Sequence, residues 1–256
     1  MHGSTPPEPL DPEMLLLAYR SGVFPMADSR TDPEVFWVEP RRRAILPLDG
    51  FHCSRSLAKV LRRGTFTVTC NADFPAVIRE CAGPRADAEG TWISGRIEAS
   101  YLELHRRGIA HSIECWRGGL LVGGLYGVGF DRVFCGESMF SREPDASKVA
   151  LAWLVAALRR AQVMLLDCQF MTKHLASMGA VEISQAEYLQ RLRAAQMPIL
   201  GEAFGAGETL GAAAGDGEGE ALALPAGFDA LLTDAAGAGL SSSPGNFIAQ
   251  SLTQTS

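Results

Sequence analysis

Apolar residues recur along this chain in two rhythms, one close to every second position and one close to every third or fourth. "EMLLLAYR" (13–20) carries the helical rhythm, and "SGVFPM" interrupts it at Gly22 and Pro25. "EVFWVEP" (34–40) and "RRAILPL" (42–48) predict short strands on either side of a turn. "HCSRSLAKVLRR" (52–63) predicts a helix that opens near Ser54 or Ser56, and "TFTVTCN" (65–71) a strand. Two helices follow, "DFPAVIRECA" (73–82) and "GRIEASYLELHRRG" (95–108), the second stopped by Gly108. Then "HSIECWR" (111–117), "LLVGGLYGV" (120–128) and "RVFCGESMF" (132–140) predict an antiparallel meander with short joins. The clearest helix is "SKVALAWLVAALRRA" (147–161), where Leu151, Leu154, Val155 and Leu158 fall at i, i+3, i+4 and i+7. A strand (163–170), a helix (172–179), a strand (180–184) and a helix (185–196) complete the pattern.

From residue 65 the order is strand, two helices, three strands, helix, strand, helix, strand. The strand–helix–strand step across 132–170 implies a right-handed crossover and one parallel pair in a mixed sheet. The fold class expected is α+β, with helices on both faces of the sheet. Three regions are expected: a small N-terminal α/β domain (1–51), a larger mixed-sheet domain (52–197) and a tail (198–256). The tail is rich in Gly, Ala, Glu and Ser and reads as largely disordered, with one short helix near 226–234.

The 256 residues have the composition of a soluble globular protein. No apolar run reaches 18 residues, and the N-terminus lacks the order of a signal peptide. A cytoplasmic location is expected. Six cysteines lie scattered without a CxxC pair, which argues against a disulfide framework or a zinc site. The net charge of −6 is unevenly placed: residues 198–256 hold seven acids and no Lys or Arg, leaving 22 acids against 23 bases elsewhere. Within 41–63, Arg41, Arg42, Arg43, Arg55, Lys59, Arg62 and Arg63 stand against Asp49 alone. Such an imbalance attracts polyanions, although a solvated basic helix would look the same.

"LLDCQ" (165–169) places a carboxylate and a carboxamide on one face of an apolar strand, with Cys168 on the other. Asp167 and Gln169 there are either a helix cap with a bystander or an orienting pair at a strand end, where ligands bind in α/β sheets. "CGESMFS" (135–141) is the second candidate: Cys135, Glu137 and Met139 alternate, and Glu137 could orient an amine. Gly123, Gly124 and Gly127 interrupt a strand and suggest a bulge or a close approach. The histidines have no metal-ligand spacing, and no phosphate-loop or nucleophile-elbow motif occurs.

Taken together, "LLLAYRSGVFPM", "FHCSRSL", "GTWIS", "HSIECW", "LVGGLYGV", "FCGESMFS", "ASKVAL", "LLDCQ" and "HLASMGA" resemble, in this order, the bacterial leucyl/phenylalanyl-tRNA–protein transferases. The resemblance covers about 11–195. It implies a domain with the N-acetyltransferase (GNAT) fold after the small N-terminal domain. It also implies transfer of Leu or Phe, less often Met, from aminoacyl-tRNA to proteins with N-terminal Arg or Lys, marking them for degradation in the N-degron pathway. No cofactor, DNA or membrane partner is implied, and a monomer is the default.

By the same resemblance, Asp167, Gln169 and Glu137 are the catalytic set. Gln169 would accept a hydrogen bond from the incoming amine, and Asp167 would polarise the Gln169 amide. Leu125, Met139, Leu154 and Leu158 would line the pocket for the transferred side chain, Trp116 would form another wall, and Trp37 would stack on the terminal adenine. The basic residues of 41–63 would face tRNA. Three positions depart from the family pattern: Glu39 stands where Ser is common, Asp145 for Asn, and Leu125 for Met. Two alternatives remain, an acyl-CoA-dependent acyltransferase and a non-catalytic tRNA- or N-terminus-binding protein. The first is disfavoured because "SREPDASK" (141–148) lacks the glycines that cradle a pyrophosphate.

Overall fold

The computed structural model describes residues 7–83, 90–197 and 224–253. Helix α1 (Pro12–Arg20) opens the chain, capped by the Asp11 side chain on Met14 N. Strands β1 (Phe24–Met26) and β2 (Phe36–Val38) form a small antiparallel ribbon. Strand β3 (Arg42–Ile45) leaves that ribbon and joins the main sheet. The order then runs α2 (Arg55–Arg62), β4 (Thr67–Cys70), α3 (Phe74–Cys81), α4 (Gly95–Arg106), β5 (Ala110–Arg117), β6 (Leu120–Phe130), β7 (Val133–Ser141), α5 (Ala146–Arg160), β8 (Leu165–Gln169), α6 (Lys173–Ser177), β9 (Val181–Ser184) and α7 (Gln185–Ala195). Side-chain caps from Ser54, Asp73, Ser94, Thr172 and Ser184 start five of these helices, each satisfying an orphan backbone N–H.

The seven-stranded sheet has the order β4-β5-β6-β7-β8-β3-β9. Every pair is antiparallel except β7–β8, the parallel step that the α5 crossover requires. The mixed α+β class with helices on both faces is the one expected from the sequence. Strand β3, which precedes residue 51, sits inside the main sheet between β8 and β9. A non-local pairing of this kind leaves no mark in local periodicity.

Two apolar layers flank the sheet. One packs Leu15, Tyr19, Phe74, Ile97, Tyr101 and Tyr188, from α1, α3, α4 and α7. The other packs Leu57, Leu61, Leu151, Leu154 and Leu158, from α2 and α5. The second layer continues into helices α8 (Leu224–Gly237) and α9 (Pro244–Thr253). The short helix expected near 226–234 lies within α8, whereas α9 and the docking of both helices stand where disorder was expected; residues 198–223 lie outside the described part. The segment is poor in charge, and its spaced apolar residues order by docking on α5 and α2 rather than by intrinsic propensity.

Candidate active site

Strands β7 and β8 pair only over Val133–Cys135 and Leu165–Asp167. Beyond that point β7 keeps β6 as its partner and β8 keeps β3, so the sheet divides. A cavity of about 480 Å³ opens in the gap, bordered by Glu137, Met139, Leu154, Cys168 and Gln169. Both divided strands carry an irregularity at this point. The β6–β7 register passes from Tyr126↔Ser138 to Gly127↔Gly136, leaving Glu137 as the extra, unpaired residue of a bulge. The β3–β8 register passes from Ala44↔Gln169 to Ile45↔Asp167, leaving Cys168 extra. Bulges bend a strand and re-aim its side chains. Gly127 lies at the first bulge because a Cβ there would stand 2.3 Å from the Cys135 carbonyl oxygen.

The bulge overturns the simple alternation expected for Cys135, Glu137 and Met139. Cys135 packs in the layer with Tyr19, whereas Met139 packs in the layer with α5. Glu137, between them, turns into a cage of phenols. Its Oε1 accepts from Tyr19 OH (2.7 Å), and its Oε2 accepts from Tyr101 OH (2.9 Å). The two phenol oxygens are themselves 2.5 Å apart. Burial raises the Glu137 carboxyl to about 7, against the opposing hydrogen bonds of Tyr19, Tyr101 and Gln169.

Gln169 ends β8 with φ +62°, an uncommon conformation for a residue with a side chain. Its backbone N–H donates to Asp167 Oδ1 at 2.8 Å. Its side-chain Nε2 donates to Glu137 Oε1 at 2.9 Å. The amide is therefore oriented by Glu137, and Asp167 holds the backbone of Gln169 rather than polarising its side chain. The expected contact between the Asp167 and Gln169 side chains is corrected accordingly.

Asp167 is fully buried. It accepts from Arg43 Nε (2.9 Å), from Arg43 Nη2 (2.5 Å) and from Tyr188 OH (2.9 Å). The Arg43 guanidinium lies over the rings of Phe24 and Tyr188, at 4.7 and 4.3 Å, and also donates to the Gly22 carbonyl. Burial alone would lower the Arg43 pKa, but the Asp167 carboxylate more than offsets it and keeps the charge. Arg43 is 1% exposed, so its expected place on a tRNA-facing surface is corrected: it is an internal counter-ion. Arg41, Arg42, Arg55, Lys59, Arg62 and Arg63 are exposed, and Arg42 pairs with Glu182.

Of the expected pocket residues, Leu125, Met139 and Leu154 border the cavity, joined by Leu151 and Leu166. Leu158, one turn further along α5, is buried in the core outside it. Trp116 is also outside, donating from Nε1 to Thr69 Oγ1 at the far side of the sheet. The indole at the cavity belongs to Trp92, whose carbonyl accepts from Ala27 N. Trp92 sits in a loop without periodicity, and only its place in "GTWIS" singled it out in the sequence. Trp37 is 40% exposed on β2 and does not border the cavity. His174 does border it, and its Nε2 finds no hydrogen-bond partner among the described residues.

Comparison with known proteins bears on the same residues. The family model for the leucyl/phenylalanyl-tRNA protein transferase N-terminal domain matches residues 8–41, and that for leucyl/phenylalanyl-tRNA protein transferase matches residues 45–193. The chain is 66% identical to the leucyl/phenylalanyl-tRNA–protein transferase of Novosphingobium aromaticivorans, over 98% of each chain. It is 58% identical to the protein of that description from Rhizorhabdus wittichii, over 77% of this chain and 78% of the relative. For Zymomonas mobilis the identity is 59%, over 73% of this chain and 69% of the relative. Glu137, Asp167, Gln169 and every strand of the divided sheet except residues 42–44 of β3 fall within the matched segments, and the chain belongs to the leucyl/phenylalanyl-tRNA protein transferase family.

Proposed function

We propose that the divided sheet is the site where Leu or Phe passes from the 3′ end of an aminoacyl-tRNA to the α-amino group of an acceptor protein. The acceptor begins with Arg or Lys, and the product enters the N-degron pathway. The reaction belongs in the cytoplasm, where charged tRNA is available. Leu125, Met139, Leu151 and Leu154 offer a wall of hydrocarbon to the transferred side chain. Such a wall discriminates by only about 1–3 kcal/mol per methylene, which suits a donor set of Leu, Phe and, less often, Met.

At the mouth of this cavity Gln169 presents an amide held in one orientation. Glu137 accepts a hydrogen bond from its Nε2, and Asp167 accepts one from its backbone N–H. The amide oxygen is then the end that accepts a hydrogen bond from the attacking amine. The amine nitrogen bonds to the ester carbonyl carbon, and the ester C–O bond to the ribose breaks. The amine loses a proton and the departing ribose oxygen gains one. An ester is already activated, so positioning supplies much of the rate. Arg43 and Tyr188 hold Asp167, which in turn keeps Gln169 at its positive φ.

The exposed basic residues Arg41, Arg42, Arg55, Lys59, Arg62 and Arg63 suit contacts with tRNA phosphates. Trp92, which borders the cavity, and Trp37, exposed outside it, each suit stacking on a base. A coenzyme A pyrophosphate is disfavoured at the start of α5, where Glu143 and Asp145 stand paired with Arg117 and Lys148.

The observation that carries this reading is the Glu137–Gln169 hydrogen bond at the edge of an apolar cavity. Its test is single-turnover transfer from leucyl-tRNA to a peptide that begins with Arg. Gln169→Ala is expected to lower the rate about 10²-fold, the scale of removing one preorganised hydrogen-bonding group. An undiminished rate would remove Gln169 from the chemistry.

A further inference from the structure

The two C-terminal helices lie outside both matched family segments, which end at residue 193. Their packing is specific. Gly227 of α8 sits so close to α5 that a Cβ would stand 2.6 Å from the Ala157 carbonyl oxygen. Phe228 packs on Trp153, ring centroids 5.3 Å apart, and Asp234 pairs with Arg160 at 3.1 Å. Gly245 of α9 sits equally close to α2, where a Cβ would stand 2.3 Å from the Leu61 carbonyl oxygen. Ile248, Ala249 and Leu252 share one apolar cluster with Leu57 and Leu61 of α2. Arg159 of α5 donates to the Leu48 carbonyl at 2.9 Å and reaches the Ser251 carbonyl at 3.4 Å.

The two helices that α8 and α9 join have different tasks. Helix α5 presents Leu151 and Leu154 to the cavity and gives its other side to α8. Helix α2 buries Leu57, Ala58 and Leu61 and exposes Arg55, Lys59 and Arg62. Among the described residues none of these three cations, nor Arg63 at the helix end, makes an ion pair, unlike Arg42, Arg117 or Arg160. They are charges without internal partners on a helix whose apolar side is seated by α9.

We propose that the α8–α9 pair is a positioning element for the donor: it fixes the basic helix α2 relative to the pocket helix α5, and so sets where tRNA phosphates lie relative to the aminoacyl cavity. The proposal rests on the reading of α2 as a tRNA-facing helix. Gly245 and Ile248 act through α2 and touch no substrate. A rigid seat matters because phosphate contacts set register and orientation, while the ester must meet Gln169 with little error.

The test compares two donors, leucyl-tRNA and the leucyl ester of adenosine, in the full chain. Gly245→Val forces α9 away from α2, and Ile248→Ala weakens the same seat without steric conflict. KM for leucyl-tRNA is expected to rise about tenfold, within the range for residues that act at a distance. Transfer from the adenosine ester should stay within about twofold, which also reports an intact fold and pocket. Equal loss with both donors would overturn the proposal, since the helices would then serve the pocket or the whole fold. An unchanged KM for leucyl-tRNA in the Gly245→Val/Ile248→Ala double variant would overturn it as well. Failure of the tRNA-facing reading itself is separate: Arg55, Lys59 and Arg62 replaced by Ala would then leave the wild-type KM and its salt dependence unchanged.

Discussion

The two faces of the sheet are built on opposite principles. The face under α1, α3, α4 and α7 buries a hydrogen-bonded network that includes Arg43, Asp167, Glu137 and the phenols of Tyr19, Tyr101 and Tyr188. The face under α2, α5, α8 and α9 buries hydrocarbon, much of it the small side chains of α5. A polar network in a low-dielectric setting is rigid when complete and costly when broken. An apolar layer is tolerant of change as long as volume is kept. On the proposed reading the reacting groups come from the first face and most of the hydrocarbon of the cavity from the second, and the two meet where β7 and β8 separate.

The contrast is most exposed at Arg43. Arg43→Ala leaves Asp167 without its counter-ion and should cost about 3–5 kcal/mol in urea unfolding. A loss below about 1 kcal/mol would mean that the polar face is no less tolerant than the apolar one.

The next largest effect concerns pH. The folded-state carboxyl of Glu137 is raised from 4.5 to about 7, so the folded chain binds a proton there that the unfolded chain releases. The resulting stability is present in full below about 4.5 and is lost as pH rises through 7. The loss amounts to about 3 kcal/mol at most, at about 1.36 kcal/mol per pKa unit. In Glu137→Gln this component of the pH dependence should vanish. Parallel stability–pH curves for the two proteins would place the Glu137 carboxyl at its ordinary value.

The smallest effect belongs to the apolar face. Leu154→Ala enlarges the cavity, and the preference for phenylalanyl over leucyl donors should rise by about 1–3 kcal/mol in competition assays. An unchanged ratio would assign selectivity to other walls of the cavity.

Much of this was legible in the sequence because the information is local. The strand and helix order from residue 65 follows from periodicity, and the parallel step follows from α5 between two strands. Asp167, Gln169 and Glu137 stood out as polar groups on apolar strands. What escaped depends on partners distant along the chain. Arg43 looks like its neighbours Arg41 and Arg42 until β3 is inserted beside β8. The bulge at Glu137 changes which face Met139 takes, and only the Gly127 signal hinted at it. Leu158 shares a helical stripe with Leu154, but the cavity ends a turn earlier. Helix α9 and the docking of the short helix expected near 226–234 depend on Gly227 and Gly245 lying against α5 and α2, contacts far apart in the chain.

The short parallel pairing of β7 with β8 has a further consequence. An unpaired strand margin is ordinarily a hazard, since its peptide groups can recruit any extended chain. In this molecule the margin from Gly136 onward lies inside the fold, flanked by β8 on its other side. The free margin of β7, Gly136 to Met139, thereby lines the cavity instead of forming an outer edge of the sheet, where another chain could pair with it.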